Sequence, residues 1–120
     1  MHILEVTPYF HPHYGGVESH VLGLALHLQQ RGHTVEVLTS RYARMPERET
    51  VRNLSVRRVT QWLSLFNTPV APGFGRDIAA AEADVVHVHS PRPFTELFAA
   101  RGARKAGKPL VITYHCDLEL

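Results

Sequence analysis

The residues best suited to chemistry stand directly after the apolar stretches that predict strands. Gly15-Gly16 and Glu18 follow the first stretch, His89 ends a later one, and His115 ends the last. In open α/β sheets, ligands bind outside the carboxyl ends of the strands. We therefore expect these groups to share one edge of a sheet and to form a small-molecule site there.

The Gly15-Gly16 pair precedes an amphipathic helix that is predicted to begin near Val17. Glycine lacks a Cβ atom, so a ligand can approach the backbone closely, and the free N–H groups of a helix N-terminus attract an anion such as a phosphate. A plain tight turn is the alternative interpretation. The position of the pair between a strand and a long helix favours phosphate, although the Gly-x-Gly-x-x-Gly spacing of dinucleotide-binding proteins is absent.

Nine histidines are the one unusual count in the composition. His87 and His89 are two apart on a predicted strand and share one face, as paired metal ligands do. No further acid or histidine completes a metal site by its spacing, so packed strand residues are the favoured interpretation. His115 and Cys116 are adjacent on a strand and point to opposite faces, which argues against a nucleophile and its base.

Short apolar strands alternate with helices along the chain, which predicts an α/β fold: an open, mostly parallel sheet with helices on both faces. The predicted strands and helices are, in order, strand 3–6, helix 17–31, strand 35–40, strand 54–60, helix 77–83, strand 85–89, helix 93–106 and strand 110–114. Gly32 is placed to end the first helix. Residues 41–53 are interpreted as a surface loop, 61–74 are ambiguous, and the strand at 54–60 is predicted to be an edge strand because it contains Arg57 and Arg58.

The composition is that of a globular protein. The chain has 120 residues, one Cys, 44% hydrophobic residues and a net charge of +2. One Cys excludes an intrachain disulfide framework and a Cys-rich zinc site, and no apolar run of about 18 residues predicts a membrane-spanning helix. The N-terminus lacks the pattern of a signal peptide. We expect a cytoplasmic protein, and the nearly balanced charge gives no argument for a nucleic-acid partner.

Several motifs, in the right order along nearly the whole chain, resemble the N-terminus of retaining glycosyltransferase family 4. They are Pro8-Tyr9-Phe10, Gly15-Gly16-Val17-Glu18-Ser19-His20-Val21, Arg31-Gly32-His33-Thr34-Val35, Asp84-Val85-Val86-His87-Val88-His89 and Thr113-Tyr114-His115. The resemblance is strongest to the branch that contains the phosphatidylinositol mannosyltransferases and the glycosylphosphatidylinositol N-acetylglucosaminyltransferase.

That resemblance implies the GT-B fold, in which two Rossmann-like domains enclose a cleft. Residues 1–120 would be the N-terminal, acceptor-side domain of a truncated chain. The family holds its nucleotide sugar mainly through a Glu-x7-Glu pair in the C-terminal domain, and no two Glu residues of this chain have that spacing. The donor-binding domain is therefore expected to be absent and the fragment alone to be inactive. No metal or other cofactor is implied.

The resemblance also implies roles for individual residues. Gly15 and Gly16 would lie near the donor diphosphate, His115 would be the catalytic residue at the reacting sugar, and Tyr9 and Glu18 would face the acceptor. The acceptor would be a sugar or a lipid, with a phosphatidylinositol-type lipid as one candidate. The branch has an acidic residue before Pro-Gly-Gly where this chain has His13-Tyr14, which leaves the acceptor open.

The apolar cluster Trp62, Leu63, Leu65 and Phe66 has two interpretations. Core packing is favoured, and contact with a membrane interface is the alternative, supported by basic residues elsewhere in the chain. Peripheral contact with the inner face of a membrane would suit a lipid acceptor.

Two other functions stay open beside glycosyl transfer. One is a non-catalytic α/β module that binds a phosphorylated small molecule, and the other is a metal hydrolase that uses the histidines.

Overall fold

The computed structural model describes residues 1–10, 15–41, 45–65, 68–90 and 93–114. Eight strands and three helices occur in these ranges. The strands are β1 (His2–Val6), β2 (Thr34–Arg41), β3 (Arg48–Val51), β4 (Leu54–Thr60), β5 (Leu63–Leu65), β6 (Thr68–Val70), β7 (Val85–Ser90) and β8 (Leu110–Tyr114). The helices are α1 (Gly16–Gln30), α2 (Gly73–Ala80) and α3 (Pro93–Ala106).

Six strands form one sheet in the order β3-β4-β2-β1-β7-β8. All neighbours pair in parallel except β3 and β4, which are antiparallel. One face packs against α1, where Val21 and Ala25 meet Val35 and Val37 of β2. The opposite face packs against α2 and α3 through a second apolar cluster that includes Phe74. The prediction of an open, mostly parallel sheet with helices on both faces is confirmed.

Helix α1 ends where the sequence predicts. Gly32 has a φ of +91°, a conformation that a residue with a Cβ atom rarely adopts. The N–H of Gly32 donates to the carbonyl of Gln29, and the N–H of His33 donates to that of Leu28. This pair of hydrogen bonds is the Schellman motif, which satisfies the last carbonyls of the helix and turns the chain into β2.

Helices α2 and α3 cross at two glycines. A Cβ atom on Gly102 would overlap the carbonyl of Gly75, and one on Gly75 would lie 3.1 Å from the carbonyl oxygen of Phe98. The two backbones approach each other this closely only because neither residue has a side chain. The Lys108 ammonium, which follows α3, donates to backbone carbonyls at the end of α2, including that of Ile78 at 3.0 Å. This contact holds the two helices together at their far end.

The prediction of a surface loop over residues 41–53 is wrong for the second half of that range. Residues 48–51 form β3, which turns through Arg52 and Asn53, both with positive φ, into β4. This is the geometry of a two-residue hairpin turn. Because β3 takes the edge, β4 is an interior strand, and the prediction that it is an edge strand is also wrong. The buried guanidinium of Arg58 donates there from Nη2 to Glu49, at 3.1 Å, and from Nη1 to the carbonyl of Pro46, at 3.2 Å.

The ambiguous stretch 61–74 contains the small hairpin β5–β6 and the start of α2, which begins four residues before the predicted helix. Trp62 is 75% exposed and Leu63 is 47% exposed. The favoured prediction of core packing is therefore wrong for these two residues. The side chains of Leu65 and Phe66 lie outside the described part of the structure.

Strand β8 forms the other edge of the sheet, and none of its five residues is buried. Val111, Ile112 and Tyr114 are 48%, 49% and 58% exposed. In the described ranges, no helix is both long and apolar enough to cross a membrane.

Candidate functional site at the reversal of strand order

The order of the strands reverses between β1 and β7. The chain leaves β1 towards β2 on one side and continues from β7 towards β8 on the other. Ligands of open α/β sheets bind at such a reversal, outside the carboxyl ends of the strands. The polar residues that bridge β1 and β7 are therefore the first to consider.

Glu5 lies in β1 opposite His87 of β7, and its side chain is fully buried. Its carboxylate accepts from two imidazoles on the same face of the neighbouring strand. His87 Nδ1 lies 3.0 Å from Glu5 Oε2 and 3.2 Å from Oε1, and His89 Nε2 lies 2.6 Å from Oε2. The shared face predicted for the two histidines thus exists, and a carboxylate joins them.

Burial raises the pKa of the Glu5 carboxyl, because a charge is poorly solvated in the protein interior. The hydrogen bonds from His87 and His89, together with their positive charge when protonated, outweigh burial, so the pKa of Glu5 lies below its ordinary value. Glu5 is therefore an ionised carboxylate at neutral pH and accepts hydrogen bonds without donating any.

Each histidine extends the cluster to another element. His87 Nε2 lies 2.5 Å from the hydroxyl oxygen of Thr113 on β8. The ring of His89 meets that of His20 on α1 edge to face, with centroids 6.1 Å apart. Three strands and one helix are thereby linked through the carboxylate of Glu5.

The first part of the loop after β1 is fixed against β2. The hydroxyl of Ser40 donates to the carbonyl of Pro8 at 2.6 Å, and the hydroxyl of Thr7 donates to that of Tyr9 at 3.1 Å. Phe10 is buried in the core beneath α1. Tyr9, a predicted acceptor residue, is half-buried between these fixed points and lies at the carboxyl edge of the sheet.

Gly15 and Gly16 differ in what surrounds them. Gly15 is the N-cap of α1, with an extended backbone, and a Cβ atom there would lie 2.5 Å from Glu18 Oε2. Gly16 is the first residue of the helix. Among the described residues, a Cβ placed on it has no heavy atom within 4 Å beyond its chain neighbours and its own helix backbone, so this part of the structure leaves the backbone at Gly16 open to a ligand. Glu18 lies in the first turn, where a carboxylate complements the helix dipole and competes with a bound phosphate.

The structure brings Gly15 and Glu18 together and puts Tyr9 on the same loop. The predicted catalytic residue, His115, lies outside the described residues, as do His13 and Tyr14. Glu5 was missed by sequence reasoning because its partners are more than 80 residues away in the chain. One signal was present: a charged residue interrupts the apolar strand Ile3-Leu4-Glu5-Val6.

Glu5, His87 and His89 also form a set of metal-ligand types, with one donor atom from each lying within 4.8 Å of the others. Two neutral imidazoles and a carboxylate suit borderline divalent ions. Ligands of a tetrahedral zinc ion lie about 3.3 Å apart when each is about 2.0 Å from the metal. The 2.6 Å separation between His89 and Glu5 is instead that of a direct, charge-assisted hydrogen bond.

The sheet and its covering helices define a Rossmann-like α/β domain, and polar groups gather at its strand reversal, where ligands of such domains bind. The model of the family described as Glycosyltransferase Family 4 matches residues 14–119. The chain belongs to glycosyltransferase family 4.

Curated relatives cover almost the whole chain. A GDP-mannose:cellobiosyl-diphosphopolyprenol alpha-mannosyltransferase from Xanthomonas campestris is 31% identical, over 96% of this chain and 31% of its own length. A phosphatidyl-myo-inositol mannosyltransferase from Mycolicibacterium smegmatis is 33% identical, with the same coverage. This chain spans about a third of the length of these relatives.

Solved structures share the fold at low identity. The catalytic domain of starch synthase IV from Arabidopsis thaliana, bound to ADP and acarbose, has a TM-score of 0.59 and 15% identity, over 95% of this chain and 34% of that one. The C-terminal domain of a hydrogenase from Pyrococcus furiosus has a TM-score of 0.57 and 17% identity, over 92% and 89%. Since both kinds of protein share this architecture, these likenesses show the fold alone.

Proposed function

We propose that this chain is the acceptor-side domain of a retaining glycosyltransferase with the GT-B fold. The whole protein transfers a sugar from a nucleotide-sugar donor to a hydroxyl group of a sugar or lipid acceptor. A second domain supplies most of the donor contacts. The observation that carries the proposal is family membership over residues 14–119, combined with the open backbone of Gly16 at the start of α1.

The proposed mechanism uses position and charge. In a retaining transfer, positive charge develops on the sugar ring and negative charge on the departing diphosphate. The N-terminus of α1, reached past Gly15 and Gly16, offers N–H groups and a partial positive charge to that diphosphate. His115 positions the sugar by hydrogen bonding, and Tyr9 and Glu18 face the acceptor. No step requires a metal ion.

The names of the relatives direct the choice of substrates. Both matched enzymes are mannosyltransferases, and one name specifies GDP-mannose. Both names also contain a lipid: a diphosphopolyprenol in one and a phosphatidyl-myo-inositol in the other. We therefore propose GDP-mannose as the first donor to assay and a lipid-linked hydroxyl, including phosphatidylinositol, as the acceptor class.

The test is transfer by the full-length protein. We expect radiolabelled mannose to move from GDP-mannose to a lipid acceptor, with the anomeric configuration retained in the product and an unchanged rate in EDTA. His115→Ala should lower kcat by about 100-fold, the scale of a lost transition-state contact, with the melting temperature little changed. The matched control is His27→Ala, on the surface of α1, which should be as active as wild type.

Other outcomes separate the competing functions. Binding of nucleotide sugars without transfer would favour the non-catalytic module. Activity that is lost in EDTA and restored by a divalent ion would favour the metal hydrolase. A His115→Ala enzyme within about threefold of wild type, with a melting temperature several degrees lower, would make His115 a structural residue.

We further propose that the protein touches an anionic membrane surface when it meets its lipid acceptor. Trp62 and Leu63 are exposed. Arg76, whose side chain is 84% exposed and lies 3.8 Å from the carboxylate of Asp77, lines one surface groove together with Trp62. A second groove, between α2 and α3, joins Arg76 to Arg101 and Lys105. An exposed indole next to clustered cations suits the headgroup region of an anionic bilayer.

Trp62 is the single tryptophan of the chain, so its fluorescence reports directly on this contact. We expect its emission to shift to shorter wavelength with phosphatidylglycerol vesicles and to stay unchanged with phosphatidylcholine vesicles. The double variant Arg101→Glu, Lys105→Glu should abolish the shift. Arg31→Glu, an exposed charge reversal at the end of α1, is the control and should keep it. An unshifted wild-type spectrum at low salt would contradict the membrane contact.

A further inference from the structure

The carboxylate of Glu5 is a buried charged group that the proposed function does not use. It is fully buried in a strand whose neighbours Leu4 and Val6 belong to the core. Burial of a charge is unfavourable unless hydrogen bonds compensate it, and an apolar side chain would fill the same space without that requirement. Packing alone therefore does not explain why a carboxylate stands at this position.

The hydrogen bonds fix which nitrogen of each ring carries a proton. Because the Glu5 carboxylate only accepts, Nδ1 of His87 and Nε2 of His89 must both donate. In a neutral His87 ring, Nε2 is then the acceptor, so the hydroxyl of Thr113 donates to it. Glu5 thus selects the Nδ1–H tautomer of His87, the minor form of free histidine in water, and orients the Thr113 hydroxyl.

The contacts of His87 and of His89 each lead to a residue that is close in sequence to one proposed to act in transfer. Thr113 lies in β8 and is two residues before His115 in the sequence. His20, which meets the ring of His89, is four residues after Gly16 on α1. One carboxylate therefore links the end of β8, where the sugar is proposed to lie, with the helix turn proposed to meet the diphosphate.

We propose that Glu5 is a positioning residue for glycosyl transfer: by holding His87 and His89 it fixes the end of β8 relative to the first turns of α1. This inference rests on the proposed function. It assigns Glu5, His87 and Thr113 no contact with substrate. Their effect is on geometry, and a displacement of about 1 Å at a reacting centre can cost about 100-fold in rate.

The first measurement is the tautomer of His87, from long-range nitrogen–proton NMR spectra of the wild-type chain near neutral pH. We expect a protonated Nδ1 and an unprotonated Nε2 in His87, and the opposite pattern in solvent-facing His27. In Glu5→Gln, the His87 ring should lose this preference. An Nε2–H tautomer of His87 in the wild-type chain would overturn the proposal, and this measurement needs no variant to fold.

The second measurement is kinetic and uses the full-length protein. Glu5→Gln should lower kcat by about 10- to 100-fold, with the KM of the nucleotide sugar within about threefold of wild type. Thr113→Val, which removes only the outer link at similar volume, should lower kcat in the same direction and fold normally. The matched control is Glu36→Gln on neighbouring β2, whose half-buried carboxylate pairs with Arg57 of β4; it should leave kcat unchanged.

The outcomes distinguish the two proposals. A wild-type protein that transfers no sugar contradicts the proposed function. Transfer by wild type, with equal kcat in Glu5→Gln and Thr113→Val, contradicts only the positioning role. One equivalent of zinc or another divalent metal, retained by purified wild-type protein and lost in His89→Ala, would also overturn it, because the cluster would then be a metal site.

Discussion

At the scale of single residues, the Gly15-Gly16 pair and Glu5 differ in how far along the chain the groups lie that bear on their proposed roles. Gly15 and Gly16 stand out because a glycine pair before an amphipathic helix has a physical reason within a few residues. Glu5 acquires its role only when β7 lies next to β1, and strand pairing across 80 residues cannot be derived from spacing. A charge inside an apolar strand is the type of conflict that marks such positions.

The open surroundings of Gly16 make a selective prediction. A Cβ atom on Gly16 meets no atom within 4 Å in the described part of the structure beyond its chain neighbours and its own helix backbone, and Gly16 does not have the positive φ that would strain Gly16→Val. In the full-length protein we expect turnover to collapse while the melting temperature stays within a few degrees, because the side chain would occupy the space proposed for the diphosphate. Gly23→Val, in the same helix and equally uncrowded, should remain active. Equal activity of the two variants would favour a plain turn at Gly15-Gly16.

The lowered pKa of Glu5 predicts how acid affects stability. The carboxyl binds its proton more weakly in the folded chain than in the unfolded one, so its contribution is fully present above the ordinary pKa of Glu, about 4.3, and is lost as pH falls through the folded value. The free energy of unfolding of Glu5→Gln should therefore lie furthest below that of wild type near neutral pH and approach it in acid.

Urea titrations from about pH 7 to about pH 3 measure this difference. His87, His89 and His20 also face this cluster, and all three are kept in each protein compared. Glu82→Gln, at an exposed position, is the control and should show a pH-independent difference. A constant difference for Glu5→Gln would argue against an ionised, hydrogen-bonded carboxylate.

At the scale of elements, the spacing of apolar residues predicts a helix or strand correctly where one face of that element is buried and a residue that stops it follows. Helix α1 and strands β1, β7 and β8 follow the sequence pattern closely. Strand β3 was missed because it is short, exposed and charged, and its turn of Arg52 and Asn53 lacks the glycine that usually marks such a hairpin. The charge of Arg58 led to the wrong prediction that β4 is an edge strand, because its partner Glu49 lies in β3, which the sequence did not predict.

The crossing of α2 and α3 leads to a prediction about stability. Gly102→Ala would place a methyl group onto the backbone carbonyl of Gly75, which cannot rotate away as a side chain can. We expect a loss of about 1–3 kcal/mol in the free energy of unfolding, as in other overpacked contacts. Gly23→Ala, in open space within α1, should instead stabilise by about 0.5–1 kcal/mol, because alanine is the better helix former. Urea unfolding of both variants tests this, and a neutral Gly102→Ala would mean that the helices slide apart at little cost.

At the scale of the whole molecule, the sheet is unevenly covered. The β3–β4–β2 side is closed by α1, and its edge is the charged strand β3, which protects against pairing with another chain. On the other side, β8 is parallel, mostly apolar and about half exposed at Val111 and Ile112. An edge strand that exposes apolar side chains is a template for association.

We therefore expect the 120-residue chain to associate through β8 in a concentration-dependent way. Ile112→Lys places a charge on the exposed strand and should shift sedimentation velocity profiles towards the monomer. Leu97→Lys, which replaces a similarly exposed side chain on α3, should associate like wild type, because a helix surface offers no free backbone hydrogen bonds. Equal profiles for the two variants would move the contact away from β8. A wild-type chain that is monomeric over a wide dilution series and melts cooperatively above about 65 °C, the upper end of the usual mesophile range, would contradict association at this edge altogether.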